Sequence, residues 1–125
     1  MNILIVDDDP DLVTLAKRWL EREGYGVRHV GTGPAALEAL AQDPLPDLVL
    51  LDVMLPKIDG FAVLRRLRAE ERTRKLPIMI VSSFDRHKDV ERGRELGAND
   101  YLVKPLMEYQ FLERVAKLAK RNGDA

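Results

Sequence analysis

The run Leu48 to Leu51 is apolar without interruption and closes on a single carboxylate, Asp52. A strand with one wet face alternates apolar and polar side chains. A run like this one suits a strand buried on both faces, as in a parallel sheet covered by helices. An acid where such a strand ends lies at the carboxyl edge of the sheet, where open α/β sheets bind ligands and carry out chemistry. Pro56 and the pair Asp59-Gly60 then end the strand and turn the chain, which makes Gly60 a structural position.

The rest of the sequence supplies similar units. Ile3 to Val6 is a first short apolar run, stopped by Asp7, Asp8, Asp9 and Pro10. Pro10 suits the first position of a helix and Asp9 its cap. That helix is expected to reach Arg22, burying Leu12, Leu15 or Ala16, Trp19 and Leu20, and to stop at Gly24. Val27 to Val30 is a thinner strand candidate, and Thr32 or Gly33 before Pro34 reopens a helix with Ala36, Leu37 and Leu40 inward. After Gly60, a stripe of Phe61, Leu64 and Leu67 predicts a third helix with Arg65, Arg66 and Arg68 outside it. Ile78 to Val81 is a second doubly buried strand, ended by Ser82, Ser83, Phe84 and Asp85. The segment from Arg86 to Leu96 makes a weakly specified helix. Its only large apolar residues are Val90 and Leu96, and an interior Gly93 costs about 1 kcal/mol against alanine. A last strand over Tyr101 to Val103 ends at Lys104-Pro105, and a last helix from Met107 to Arg121 buries Phe111 or Leu112, Val115, Leu118 and Ala119.

Five strand–helix alternations with right-handed crossovers give a doubly wound α/β domain spanning 1–125. A chain of this length buries roughly 65–70% of its unfolded surface without staples. Twenty basic residues against 21 acidic ones leave no global field to draw nucleic acid or an anionic membrane, so neither is expected as a direct partner. The absence of cysteine excludes disulfides and thiolate metal sites. No apolar segment approaches the ~20 residues of a membrane span. Met1-Asn2-Ile3 enters an apolar run without the basic lead of a signal peptide, so a cytoplasmic domain is expected.

In a parallel sheet the ends of these strands share one edge, so Asp7, Asp8, Asp52, Lys104 and the serine pair converge. Three crowded carboxylates cannot all ionise comfortably without a cation. Oxygen ligands without cysteine or clustered histidine point to Mg²⁺ or a similar hard ion. A carboxylate beside such a metal can attack a phosphoryl group and form an aspartyl phosphate. The metal and one lysine, here Lys104, would neutralise the transferring oxygens. Ser82 or Ser83 would supply a hydroxyl donor.

With those residues in place the chain resembles the response-regulator receiver domains, the CheY-like phosphoacceptor modules of two-component signalling. Five separated landmarks fall in that family's order. They are the acidic pair Asp7-Asp8, the phosphoacceptor Asp52 within DVMLPKIDG, the switch hydroxyl Ser82 followed by small Ser83, the switch aromatic Tyr101, and Lys104-Pro105. The resemblance implies a flavodoxin-like sheet in the order 2-1-3-4-5. It implies Mg²⁺ or Mn²⁺ held by Asp8, Asp52 and the Met54 backbone carbonyl, with Asp7 acting mostly through water, and a cis peptide before Pro105. It implies phosphorylation of Asp52 by a sensor histidine kinase, a phosphotransfer protein or a small phosphodonor. Ser82 would then be drawn toward the phosphoryl oxygens and Tyr101 would rotate inward. The face made by the fourth helix, last strand and last helix would carry the signal to a partner or a homodimer. Met54 and Phe84 fall where the family tunes hydrolysis; both are bulky and apolar, so slow self-dephosphorylation is expected. Such a domain catalyses only its own phosphorylation and dephosphorylation and is not an enzyme in the usual sense.

Plainer readings stand beside these. Asp9 can account for part of the triple aspartate as a helix cap, the serines can satisfy strand-end backbone groups, and Tyr101 can be a static edge aromatic. His29 and His87 stand alone and are expected as surface residues rather than donors or ligands. Arg65, Arg66, Arg68, Arg72 and Arg74 are expected as a solvated helix face and loop. Asp100 and Arg114 resemble positions that pair across the dimer in winged-helix regulators, although Asn99 and Leu106 depart from that class's Asp and Phe. Two other functions compete. One is a phosphohydrolase of the haloacid dehalogenase type, with Asp7-x-Asp9 as its D-x-D and Asp7 as nucleophile. The other is a pseudo-receiver that only binds partners.

Overall fold

The Leu48–Leu51 strand is buried on both faces, its four residues being 0–3% exposed, and it lies at the centre of a five-stranded parallel sheet. The structure is a computed structural model and describes residues 1–123. Strands β1 (Asn2–Val6), β2 (Gly26–Val30), β3 (Leu48–Leu51), β4 (Ile78–Ser82) and β5 (Asp100–Val103) alternate with helices α1 (Pro10–Arg22), α2 (Gly33–Leu40), α3 (Gly60–Ala69), α4 (His87–Glu95) and α5 (Glu108–Gly123). All pairings are parallel in the order β2-β1-β3-β4-β5, as the resemblance implies.

Period-two alternation along the strands makes two separate cores. Leu4, Val6, Val49, Leu51, Ile78 and Ile80 face α2 and α3, while Ile3, Ile5, Leu48, Leu50, Met79 and Val81 face α1 and α5. β2, at one edge, has no fully buried residue, in keeping with its thin apolar pattern. Local signals start the helices: the Asp9 carboxylate accepts from the Asp11 and Leu12 amides, Thr32 from Ala35, and Asp59 from Ala62. Gly24 (φ +92°) and Gly97 (φ +105°) end α1 and α4.

Several expectations need correction. In α1 the inward residues are Val13, Ala16, Trp19 and Leu20; Leu12 is half-buried and Leu15 is 38% exposed. Leu12 still packs against the same core, where the Trp19 ring lies tilted 6.0 Å from Phe111 of α5. Arg68 is half-buried rather than solvated, and Arg72, although exposed, is tied down by hydrogen bonds. Arg68 donates to the carbonyls of Gly97 and Thr73 and to Asn99 Oδ1, tying α3 to the α4–β5 turn. Arg72 donates to Leu40 and Gln42 carbonyls past the end of α2 and to Asp43. Arg65, Arg66 and Arg74 are exposed as expected. The peptide at Lys104-Pro105 is cis, and so is Asp43-Pro44, which nothing in the sequence signalled.

α4 is the least anchored helix. Its N-cap Arg86 makes no side-chain capping bond, and Gly93 is its only fully buried residue, with Val90 packed at the edge of the core. Gly93 is nevertheless more than a helix weakener. A Cβ there would come within 2.7 Å of Ile80 Cδ1 and 3.1 Å of the Tyr101 ring, so the glycine lets α4 lie against the sheet.

Candidate functional site

Backbone ladders place the site residues. The Asp7 amide donates to Val30 O (3.1 Å), the Asp52 amide to Val6 O (2.9 Å) and the Lys104 amide to Ser82 O (2.9 Å). Each ladder thus extends one residue beyond its strand and holds the next side chain at the same sheet edge. Gly60 completes the arrangement from α3. Its amide donates to Val53 O at 3.0 Å, and a Cβ there would overlap the Asp52 carbonyl oxygen and lie 2.5 Å from Val53 Cα. Only glycine lets the helix start so close to the backbone carrying Asp52.

The expected cluster forms. Carboxylate oxygens of Asp7, Asp8 and Asp52 lie within 4.8 Å of one another, Asp7 and Asp52 being 2% and 4% exposed and Asp8 open to solvent. Lys104 Nζ bridges the two buried acids, 3.0 Å from Asp7 Oδ2 and 3.2 Å from Asp52 Oδ2. The remaining oxygens accept from backbone: Asp7 Oδ1 from the Asp9 amide (2.9 Å), and Asp52 Oδ1 from the Met54 amide (3.0 Å). Burial pushes the Asp7 carboxyl above its usual range, opposed by the Asp9 amide and Lys104. For Lys104 burial works downward, but the hydrogen bond to Asp7 and the charges of Asp52 and Asp7 outweigh it and hold the ammonium above its usual value.

This donor set fits a hard divalent cation. All side-chain donors are oxygens, and three carboxylates against one ammonium leave an excess of two negative charges. The site sets the buried Asp52 carboxyl group beside a fixed ammonium and two further carboxyl groups.

The other predicted residues flank this centre. Ser82 is fully buried; its Oγ accepts from the Phe84 amide at 3.1 Å and its hydroxyl meets that of Tyr101. Tyr101 is 6% exposed and its hydroxyl donates to Phe84 O at 2.7 Å. The ring thus already points inward in this structure. Burial raises the Tyr101 hydroxyl above its usual pKa, while the adjacent Ser82 works in the opposite direction. Met54 and Phe84, at 50% and 37% exposure, stand at the mouth. Asp100 and Arg114 pair with each other inside the chain at 2.9 Å.

Two contributors escaped the sequence reading. His29, expected as a bystander, places Nε2 2.7 Å from the Asp7 carbonyl. The signal was register: His29 pairs with Ile5, two residues before Asp7. Arg92 lies 4.5 Å over the Phe61 ring and ties α4 to α3; sequence spacing between separate elements carried no sign of it.

A family model described as the response regulator receiver domain matches residues 3–116. The DNA-binding dual master transcriptional regulator RpaA of Synechocystis is 43% identical over 120 residues, covering 96% of this chain but 49% of RpaA, so the chain spans about half of that relative. Among solved structures, the BeF3-activated N-terminal receiver domain of Klebsiella pneumoniae RstA is 33% identical at a TM-score of 0.88, with 96% of this chain and 99% of that chain covered. The Mn²⁺-bound form of response regulator Rcp1 is 27% identical at 0.82, with 95% and 91% covered. Among the described residues no helix is long and apolar enough to cross a membrane.

Proposed function

The chain belongs to the response regulator receiver domain family, and on that premise we propose that it is a phosphorylation-driven switch with Asp52 as phosphoacceptor. The observation that carries this reading is Lys104 bridging Asp7 and Asp52 beside the exposed Asp8. A carboxylate oxygen of Asp52 attacks the phosphorus of a phosphohistidine on a sensor kinase or phosphotransfer protein, or of a small phosphodonor. The P–N bond of the phosphohistidine breaks and its electron pair stays with the imidazole, or the P–O bond of acetyl phosphate breaks and acetate leaves; in both cases an acyl phosphate forms on Asp52. Asp8, Asp52 and the Met54 carbonyl, with Asp7 behind them, would hold Mg²⁺ or Mn²⁺, which when bound neutralises charge on the transferring oxygens. The Mn²⁺-bound state of Rcp1 supports that assignment. Lys104, poised on Asp52, pairs with the phosphoryl group as the carboxylate loses its charge.

Ser82 then turns its hydroxyl away from Tyr101 and onto a phosphoryl oxygen. Its neighbours Phe84 and Tyr101 share its hydrogen bonds, so moving Ser82 alters the seat of the tyrosine and of α4 above it. The weak anchoring of α4 suits an element that must shift. The α4–β5–α5 face is the proposed output surface, for a partner or a homodimer. Met54 and Phe84 present no group able to orient water, so the phosphorylated form decays slowly. The domain acts in the cytoplasm and catalyses only its own phosphorylation and dephosphorylation. Intact-mass measurement with acetyl phosphate tests the reading: one phosphoryl group is gained by wild type with Mg²⁺, and none without Mg²⁺ or in Asp52→Asn. Gain by Asp52→Asn equal to wild type overturns it.

A further inference from the structure

We infer that His29 is a positioning residue for the metal-binding acids, acting through the Asp7–Asp8 peptide; the inference rests on the metal reading above. The β1–β2 ladder ends with the Asp7 amide bonded to Val30 O. The next polar group along the chain is the Asp7 carbonyl, and a backbone acceptor left without a partner costs free energy. His29 supplies that partner from the neighbouring strand, with Nε2 at 2.7 Å. A carbonyl only accepts, so the ring nitrogen donates. The imidazole thus adds one more rung to the ladder with a side chain where the backbone of β2 has turned away.

That carbonyl belongs to the peptide unit whose other end is the Asp8 amide, so its orientation sets where the Asp8 carboxylate points. The other two acids are each held twice over: Asp7 by the Asp9 amide and Lys104, Asp52 by the Met54 amide and Lys104. Asp8 is exposed and, among the described residues, its side chain makes no hydrogen bond or ion pair. Its aim therefore depends on the backbone, and His29 fixes the one peptide carbonyl next to it. Groups that orient metal ligands in this indirect way change metal affinity by 10–100-fold when removed. The solvent-exposed position of His29 puts the expected effect at the low end.

The test is Mn²⁺ binding to the folded chain, read from the free-ion electron paramagnetic resonance signal, with thermal melts in parallel. His29→Ala is expected to weaken Mn²⁺ binding by about tenfold. His29→Gln, whose amide nitrogen reaches to about where Nε2 stands, restores the wild-type value. Arg28→Ala, an exposed neighbour on the same strand, leaves it unchanged. Wild-type affinity in His29→Ala, no rescue by glutamine, or an equal loss in Arg28→Ala overturns the inference while leaving the metal site standing. Failure of the wild type itself to bind Mn²⁺ overturns the metal reading and this inference together.

Discussion

Replacing Gly60 by alanine tests how the fold presents Asp52. The added Cβ would lie 2.5 Å from Val53 Cα and 2.9 Å from the Asp52 carbonyl carbon, and closer still to the Asp52 carbonyl oxygen. Carbon atoms pack at about 3.5–4.0 Å, so the overlap is on the order of 1 Å. The atoms in the way are backbone, bonded into the β3 ladder through the Asp52 amide and to Gly60 through Val53 O, and cannot swing aside. Overpacking of this kind costs about 1–3 kcal/mol, and backbone against backbone belongs at the upper end. Helix propensity returns up to about 1 kcal/mol, leaving a net loss of about 2 kcal/mol. At roughly 3–5 °C per kcal/mol for a domain of this size, Tm should fall by about 6–10 °C. The shift also moves the segment that aims Asp52, so labelling by acetyl phosphate should slow even at a temperature where the variant is fully folded. Urea and thermal denaturation by circular dichroism give the first number, and intact-mass time courses the second. A Tm within about 2 °C of wild type with unchanged labelling would refute the packing argument.

Asp7→Asn should stabilise the fold. Burial, the largest cause, raises the folded-state pKa of Asp7. A carboxyl raised in this way favours the fold fully below pH 3.8 and loses that contribution as pH climbs through its folded value, so ionised Asp7 is a cost at neutral pH. The variant should be more stable than wild type at pH 7 in urea titrations, with the gain vanishing below pH 4; equal gain at both pH values refutes the linkage. Met54→Asn with Phe84→Glu should speed decay of the phosphorylated form about tenfold or more, measured by mass against time; no change removes the hydrolysis argument. Gly93→Ala should cost less than about 1 kcal/mol, because it meets side-chain ends, yet displace the Tyr101 ring. Carbon NMR of labelled tyrosine should show the ring shift, and an unchanged Tyr101 signal contradicts it.

The doubly buried strands were legible because an apolar run of four or five residues leaves a parallel sheet little alternative, and the parallel sheet then gathers their ends. That is why Asp7, Asp8, Asp52, Ser82 and Lys104 could be placed at one edge from sequence. The local cap at Asp9 was equally visible, since donor and acceptor lie two or three residues apart, whereas Asp59 was read only as part of a turn and proves to cap α3. What was hidden depends on contacts between elements. Arg68 reaches Gly97 and Asn99, and Arg72 reaches Leu40 and Gln42, across about 30 positions of sequence, so nothing in the arginine-rich stretch showed that two of its members bond to other elements. In α1 the sequence left Leu15 or Ala16 open; packing between elements chose Ala16 and added Val13, with Leu12 only half-buried. His29 was passed over because a lone histidine in a thin strand carries no pattern; only the β1–β2 register brings it to Asp7.

The central claim is that folding gathers remote acids around one carboxylate made reactive by a cation. It is tested most directly by locating the phosphoryl group. The wild-type chain, phosphorylated with acetyl phosphate and Mg²⁺, is reduced with borohydride to mark the acyl phosphate and mapped by peptide mass spectrometry. The mark is expected on Asp52 alone. A mark on Asp7, as a phosphohydrolase of the haloacid dehalogenase type would give, or no mark at all, contradicts the account.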